Sequence, residues 1–239
     1  MKALLLCAGS GNRIKPLSSS VPKPLIEING KSLLERVLDQ LEHFSIKDVF
    51  VVVGYKKDMI KKILKKKSDK INIRCIDNPF YNKLNNLFSV WLSKPYLFGE
   101  EFLLINGDII FDNGILKLVM NSNLENFCVI DTTLPLPDDS MKVKFNVKGD
   151  IADFGKGLKG ANGFTAGIHK FSKDGSKTLF SEIEGMLEEG KDDYHHAAIL
   201  NIIKKYRFKQ KALLIKNMAW CEIDEINDIK KAEEMFSNR

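Results

Sequence analysis

The first 25 residues constrain this chain more than any other stretch. An apolar run, Ala3-Leu4-Leu5-Leu6-Cys7, leads into Ala8-Gly9-Ser10-Gly11-Asn12-Arg13, followed by Pro16 and then Pro22-Lys23-Pro24-Leu25. A short continuous apolar run closed by glycines reads as a buried parallel strand that opens into a loop at its carboxyl end. That end is where open α/β sheets bind their ligands. Gly9 and Gly11 let backbone N–H groups turn inward on an anion with no Cβ in the way. Arg13 can fork onto phosphate oxygens, and Lys23, stiffened by a proline on either side, holds a point charge at a fixed place. The stretch reads as a triphosphate cradle. Two glycines and a lysine can also decorate a turn that binds nothing; Arg13 and Pro-Lys-Pro together favour the phosphate reading. A P-loop would close on Gly-Lys-Ser/Thr and a dinucleotide fingerprint would add a third glycine, and neither is present.

Apolar runs and helical patterns then alternate as a doubly wound sheet requires. Ser32 and Glu35 form a capping box for a helix to about His43. Val49 to Val53 is a strand, the lysine-rich stretch 56–70 a helix, and Ile71 to Ile76 a third strand. A helix is expected over Leu84 to Ser93, with Asn85-Asn86 in its first turn. Phe102 to Ile105 is another buried strand, ending in Asn106-Gly107-Asp108, before a helix around Gly114 to Met120 and a strand over Phe127 to Ile130. The second half has shorter, more polar strands at Met141 to Val147, Ile151 to Phe154 and Phe164 to His169. These read as antiparallel elements of the kind that hold a second substrate. Helices over Ser172 to Glu189, Tyr194 to Tyr206 and Ile226 to Phe236, and a strand over Ala212 to Ile215, complete the chain. The expected fold is α/β: a Rossmann-like, doubly wound, mixed but mostly parallel sheet with an inserted antiparallel region. One domain spans 1–239, with nucleotide binding in about 1–130 and acceptor binding in about 131–239.

The bulk properties fit a soluble globular domain. Hydrophobic residues make up 44% and charged residues 28%, and no low-complexity linker divides the 239 residues. Cys7, Cys75, Cys128 and Cys221 show no metal-binding or pairing pattern, so they read as reduced thiols of a cytoplasmic protein. No run approaches the roughly 18 apolar residues of a membrane span, and the N-terminal run is too short for a signal-peptide core, so no membrane insertion is expected. The net charge of +6 raises the question of nucleic acid. Much of the excess lies at Lys56, Lys57, Lys61, Lys62, Lys65, Lys66, Lys67 and Lys70, interleaved with Met59, Ile60, Ile63 and Leu64 at helical spacing. That pattern is an amphipathic helix with a solvated face, and no aromatics interleave to stack bases. No nucleic-acid partner is expected, and a homodimer is left open.

Two carboxylates stand at strand ends, Asp108 and Asp224. Either alone could be a turn or helix-capping aspartate. Beside a triphosphate cradle they suit a magnesium ion, which takes one or two carboxylates plus phosphate oxygens.

These segments resemble the nucleotidyltransferases that activate sugar phosphates and phospho-alcohols, whose entry motif is close to L-A-A-G-x-G-x-R-x(n)-P-K-P-L. Cys7 stands in place of the usual first Ala or Gly. Gly107-Asp108 and Glu222-Ile223-Asp224 match the family's metal-binding G-D and E-I-D. Asn85-Asn86 with Phe88-Ser89-Val90-Trp91 is similar to a segment of the branch containing phosphocholine, inositol-phosphate and phosphonate cytidylyltransferases, where it lies near base and ribose. Asp139 to Val143, with Lys142, and Gly155-Lys156 follow the same branch. The resemblance implies a Mg2+-dependent cytidylyltransferase-like enzyme that joins CTP to a phospho- or phosphono-acceptor and releases pyrophosphate, for cell-surface polysaccharide or lipid decoration. It implies Arg13, Lys23, Asp108 and Asp224 as catalytic residues, Asp108 and Asp224 as metal ligands, and Cys7, Ala8, Gly9, Ser10, Gly11, Asn12, Asn85, Asn86 and Gly107 around the nucleotide. Lys142, Lys156, Phe164, His196 and Glu222 are the expected acceptor residues.

The chain departs from that pattern on the acceptor side. Phe164-Thr165-Ala166-Gly167-Ile168 and Tyr194-His195-His196-Ala197 stand where many relatives carry acidic residues, so a cationic acceptor such as phosphocholine loses its counter-charge. His195 and His196 are adjacent on a helix and diverge by about 100°, which argues against a shared ion. A sugar-1-phosphate uridylyl- or thymidylyltransferase is the nearest alternative function, and a catalytically idle nucleotide-binding module the alternative of another class.

Overall fold

The computed structural model describes residues 1–67, 69–133 and 135–237. In chain order the elements are β1 (Lys2–Cys7), β2 (Glu27–Ile28), β3 (Lys31–Ser32), α1 (Leu33–His43), β4 (Asp48–Val53), α2 (Lys57–Lys67), β5 (Asn72–Asp77), α3 (Asn86–Trp91), α4 (Lys94–Leu97), β6 (Phe102–Asn106) and β7 (Ile109–Phe111). There follow α5 (Asn113–Asn121), β8 (Phe127–Asp131), β9 (Lys142–Phe145), β10 (Ile151–Gly155), β11 (Gly163–Phe171), α6 (Lys173–Glu188), α7 (His195–Tyr206), β12 (Lys211–Ile215), β13 (Trp220–Glu222) and α8 (Ile226–Met235). Three single 3-10 turns, at Asn12–Ile14, Leu17–Ser19 and Lys23–Leu25, fold the cradle segment.

The main sheet runs β10-β9-β11-β6-β1-β4-β5, with β8 joined to β11 and β12. Strands β5, β4, β1 and β6 are parallel, and β11 closes onto β6 antiparallel. The mixed α/β sheet is the architecture expected from the pattern. The central parallel strands β1, β4 and β6 are largely apolar because both faces are covered, whereas β5 at the edge is polar and half-exposed. One face packs Leu5, Val51 and Ile105 under Leu38 of α1, Ile60 of α2 and Ile115 of α5. The other packs Leu4, Val52 and Leu104 under Leu87 of α3, Phe180 of α6 and Ile199 of α7. A third cluster joins Ile14, Ile26 and Ile28 to Ile110, Ile223 and Phe236. It pins the cradle segment to the C-terminal elements.

Local chemistry accounts for the boundaries. Ser32 accepts from the Glu35 N–H and Glu35 returns to the Ser32 N–H, the expected capping box of α1. The α2 helix buries Ile60 and Leu64 beneath its lysines. The helix expected from Leu84 begins only at Asn86, because Lys83 and Leu84 close turns onto the Phe80 carbonyl after Pro79. Two short pairings were not expected from the sequence: the hairpin β2–β3, and β13 lying antiparallel to β7 with Glu222 opposite Ile109. The second of these builds the site.

Candidate active site

The carboxyl ends of β1 and β6 open into a cleft of about 490 Å³, a size suited to a nucleotide. Its floor is the loop from Ala8 to Ile14 together with Lys23, Gly107 and Asp108. Gly11 lies in the left-handed region at φ 62, and a Cβ there would meet Lys23 Cβ at 3.3 Å, so only glycine folds this turn without strain. At Gly107 a Cβ would lie 2.4 Å from the Leu6 carbonyl oxygen and 2.8 Å from Cys7 Sγ. Its absence lets the Gly107 N–H donate to Leu6 O at 3.1 Å, which presses Asp108 against the end of β1.

Three carboxylates meet there. One oxygen each from Asp108, Glu222 and Asp224 lies within 4.8 Å of the others. The β7–β13 pairing brings them together, and the Ile223 N–H donates to the Asp108 carbonyl at 2.8 Å. Lys23 Nζ bridges Asp108 Oδ2 at 2.7 Å and Asp224 Oδ1 at 2.6 Å. Arg13 donates to Asp224 Oδ2 at 2.8 Å and also pairs with Asp139, whose other oxygen accepts from Lys156 Nζ at 2.7 Å.

The electrostatics follow from this crowding. Burial works to lower the Lys23 ammonium, but Asp108 and Asp224 outweigh it and hold it above the ordinary lysine value. Arg13 is likewise raised, burial being overcome by Asp224 and Asp139. Burial, then the charges of Asp108 and Asp224, push the Glu222 carboxyl up to about 8. Three converging carboxylate oxygens suit a hard divalent cation. Asp108 Oδ1 is moreover buried with no hydrogen-bond partner among the described residues. A Mg2+ ion fits this donor set.

The expected site residues fall into two groups. Ala8, Gly9, Ser10, Gly11, Asn12, Arg13, Lys23, Asn85, Asn86, Gly107, Asp108, Lys156, His196, Glu222 and Asp224 all line the one cleft. Glu222 was expected on the acceptor side. The β7–β13 pairing instead seats it with the two aspartates. Cys7, Lys142 and Phe164 are not part of the cleft lining. Cys7 is buried beneath Gly107, Lys142 lies opposite Gly155 and Phe164 in the sheet, and the Phe164 ring packs on Trp220 at 5.6 Å.

The Asn85-Asn86 pair has a structural duty too. Asn85 does not cap α3 with its side chain; its backbone N–H and Nδ2 donate to the two oxygens of Asp192 at 2.6 and 2.9 Å. Asn86 Oδ1 accepts from the His195 N–H at 2.8 Å. The pair thus docks the start of α7 onto the cleft wall. Sequence reasoning missed Asp139, Asp192, Thr165 and Tyr194. Asp139 was legible only as part of the 139–143 segment, because its two cationic partners lie 126 and 17 residues away. The divergence expected for His195 and His196 is also wrong: their ring centroids lie 4.0 Å apart.

The model of the Nucleotidyl transferase family matches residues 2–147, which hold the whole cradle and Asp108. The chain belongs to this family. Among nucleotidyl transferase relatives, the choline-phosphate cytidylyltransferase of Streptococcus pneumoniae is 26% identical over 246 residues, covering 100% of this chain and 99% of its own. The bifunctional protein GlmU of Methanocaldococcus jannaschii is 29% identical over 250 residues, covering 100% of this chain and 55% of its own. The chain spans 40% to 55% of the length of several such bifunctional relatives. Among solved structures, the inositol-1-phosphate CTP transferase from T. maritima superposes with a TM-score of 0.84 at 24% identity, covering 99% of this chain and 94% of that one. That likeness shows the shared fold.

Proposed function

We propose that the protein is a Mg2+-dependent nucleotidyltransferase that joins CTP to a phospho- or phosphono-acceptor and releases pyrophosphate. The observation that carries this reading is the meeting, in one cleft, of the glycine cradle, two cations and three carboxylates. The choice of CTP is supported by the full-length similarity to a choline-phosphate cytidylyltransferase.

The chain's own residues would position and neutralise charge rather than exchange protons. The Ala8–Asn12 backbone cradles the triphosphate, and Arg13 and Lys23 turn from their carboxylates to its oxygens. An acceptor phosphate is already ionised near neutral pH, so no general base is required. One acceptor oxygen attacks the α-phosphorus in line as the bond to pyrophosphate breaks, and holding that line is the main catalytic task. Asp108, Asp224 and Glu222 would hold Mg2+, whose positive charge would offset the negative charge of the reacting phosphates.

On the acceptor side the cleft offers Lys156, Thr165, Tyr194 and His196. Its one carboxylate there, among the described residues, is Asp139, already paired with Arg13 and Lys156. A cationic head group would therefore find little counter-charge, and the acceptor head is neutral or anionic. The test is a matrix of four NTPs against phosphocholine, 2-aminoethylphosphonate, inositol phosphate, glycerol phosphate, phosphorylated amino-acid amides and sugar 1-phosphates, read by pyrophosphate release. CTP with an acceptor other than phosphocholine should give the highest kcat/KM. UTP or dTTP with a sugar 1-phosphate would replace this reading.

A further inference from the structure

A second cluster of donor groups lies apart from the carboxylates. His169 sits in β11, and His195 and His196 are the first two residues of α7. His169 and His195 are fully buried and His196 is 6% exposed. The His195–His196, His169–His196 and His169–His195 ring centroids are 4.0, 5.1 and 5.3 Å apart. One ring nitrogen from each lies within 4.8 Å of the other two.

Among the described residues, one of the six ring nitrogens, His169 Nε2, has a partner, Cys128 Sγ at 3.8 Å. Both nitrogens of His195, both of His196 and Nδ1 of His169 are buried without a hydrogen-bond partner. An unsatisfied buried polar atom is costly, and five in one place form a concentration that native folds do not keep without a reason. The Cys128 thiol also lies 3.0 Å from Thr165 Oγ1, and it leaves both nitrogens of His195 and of His196 unanswered. Burial first, and the neighbouring histidines second, hold all three rings neutral, with pKa values well below the usual histidine range. A neutral imidazole keeps the lone pair that a metal needs.

We propose that His169, His195 and His196 form a buried site for a divalent transition-metal ion of the zinc type, which ties β11 to the start of α7. Three nitrogen donors select a borderline-soft ion, whereas the three carboxylate oxygens across the cleft select a hard one. The two sites would therefore sort their metals by donor chemistry. Although His195 and His196 are neighbours on the helix, their rings meet at 4.0 Å, and Phe154 packs on His196 at 5.5 Å. His196 also borders the cleft, which leaves a fourth coordination position to water.

The experiment uses untagged full-length protein, stripped with EDTA and freed of chelator, then titrated with Co2+ and back-titrated with Zn2+. The d–d absorption of four-coordinate Co2+ should saturate at one equivalent and be abolished by Zn2+. The same binding should persist in the Asp108→Asn/Asp224→Asn variant, which isolates it from the carboxylate site and from the proposed catalysis. His169→Gln or His196→Gln should weaken it by more than about 100-fold, beyond the 10–100-fold loss of an outer-shell partner. Should those variants fail to fold, zinc-edge absorption on the wild-type protein decides, with three imidazole nitrogens expected at about 2.0 Å. Absence of stoichiometric binding, loss of binding with the aspartates, or an all-oxygen shell would overturn the proposal.

Discussion

Replacing Lys23 with methionine keeps the aliphatic stem and deletes the charge that holds the carboxylates together. In the wild-type structure the Lys23 side chain is 12% exposed, and its partners Asp108 and Asp224 are 27% and 19% exposed. Removing one partner of a buried ion pair costs about 3–5 kcal/mol. The residual exposure of the aspartates places this cluster at the low end, about 3 kcal/mol. For a chain of this size each kcal/mol moves the melting midpoint by about 2–4 °C, so Lys23→Met in EDTA should melt roughly 6–12 °C below wild type. A divalent cation should then do what the ammonium did. Mg2+ at a hundred times its Kd returns about 2.7 kcal/mol, whereas in the wild type it must first displace Lys23 and returns less. Calorimetry of both proteins, with EDTA and with saturating Mg2+, measures the difference. Equal midpoints in EDTA, or an equal gain from Mg2+ in both, would refute the idea that lysine and metal compete for one set of oxygens.

Asp108→Asn and Asp224→Asn should each lower kcat by orders of magnitude with the far-ultraviolet circular dichroism unchanged. The double variant should lose far less than the two single effects combined, since both residues act on one centre. Lys156→Ala should raise the acceptor KM, because Lys156 lines the cleft, while Lys142→Ala, outside the lining, should leave KM and kcat near wild type in steady-state assays. Burial pushes the Cys128 thiol up to about 12 and raises Cys7 as well. Mass spectrometry after a thiol reagent at neutral pH should therefore find both unmodified until the protein is unfolded.

The cradle, the alternating sheet and the two aspartates were legible because each rests on a local pattern: an apolar run, a glycine pair, a carboxylate at a strand end. The capping box at Ser32 and Glu35 is local in the same sense. What could not be read depended on distant pairing. The E-I-D match hinted that Glu222 belongs with Asp224, but its place beside Asp108 depends on its register against Ile109, which no local pattern shows. The β2–β3 hairpin did carry a signal, since Asn29-Gly30 supplies the two left-handed residues its turn needs. The histidine cluster shows the limit of helical-wheel reasoning. Angular spacing fixes where Cβ atoms point, but long side chains on the first turn of α7 are steered by what covers them, here β11 and Phe154.

Whether this cleft transfers a nucleotidyl group is decided by phosphorus-31 NMR of the protein with CTP, Mg2+ and the best acceptor of the matrix. Pyrophosphate and a new phosphoanhydride-linked cytidine product should appear in equal amounts, and neither should appear after EDTA or with Asp108→Asn. CTP bound in the cleft, with its three phosphorus signals unchanged against every acceptor, would contradict that transfer.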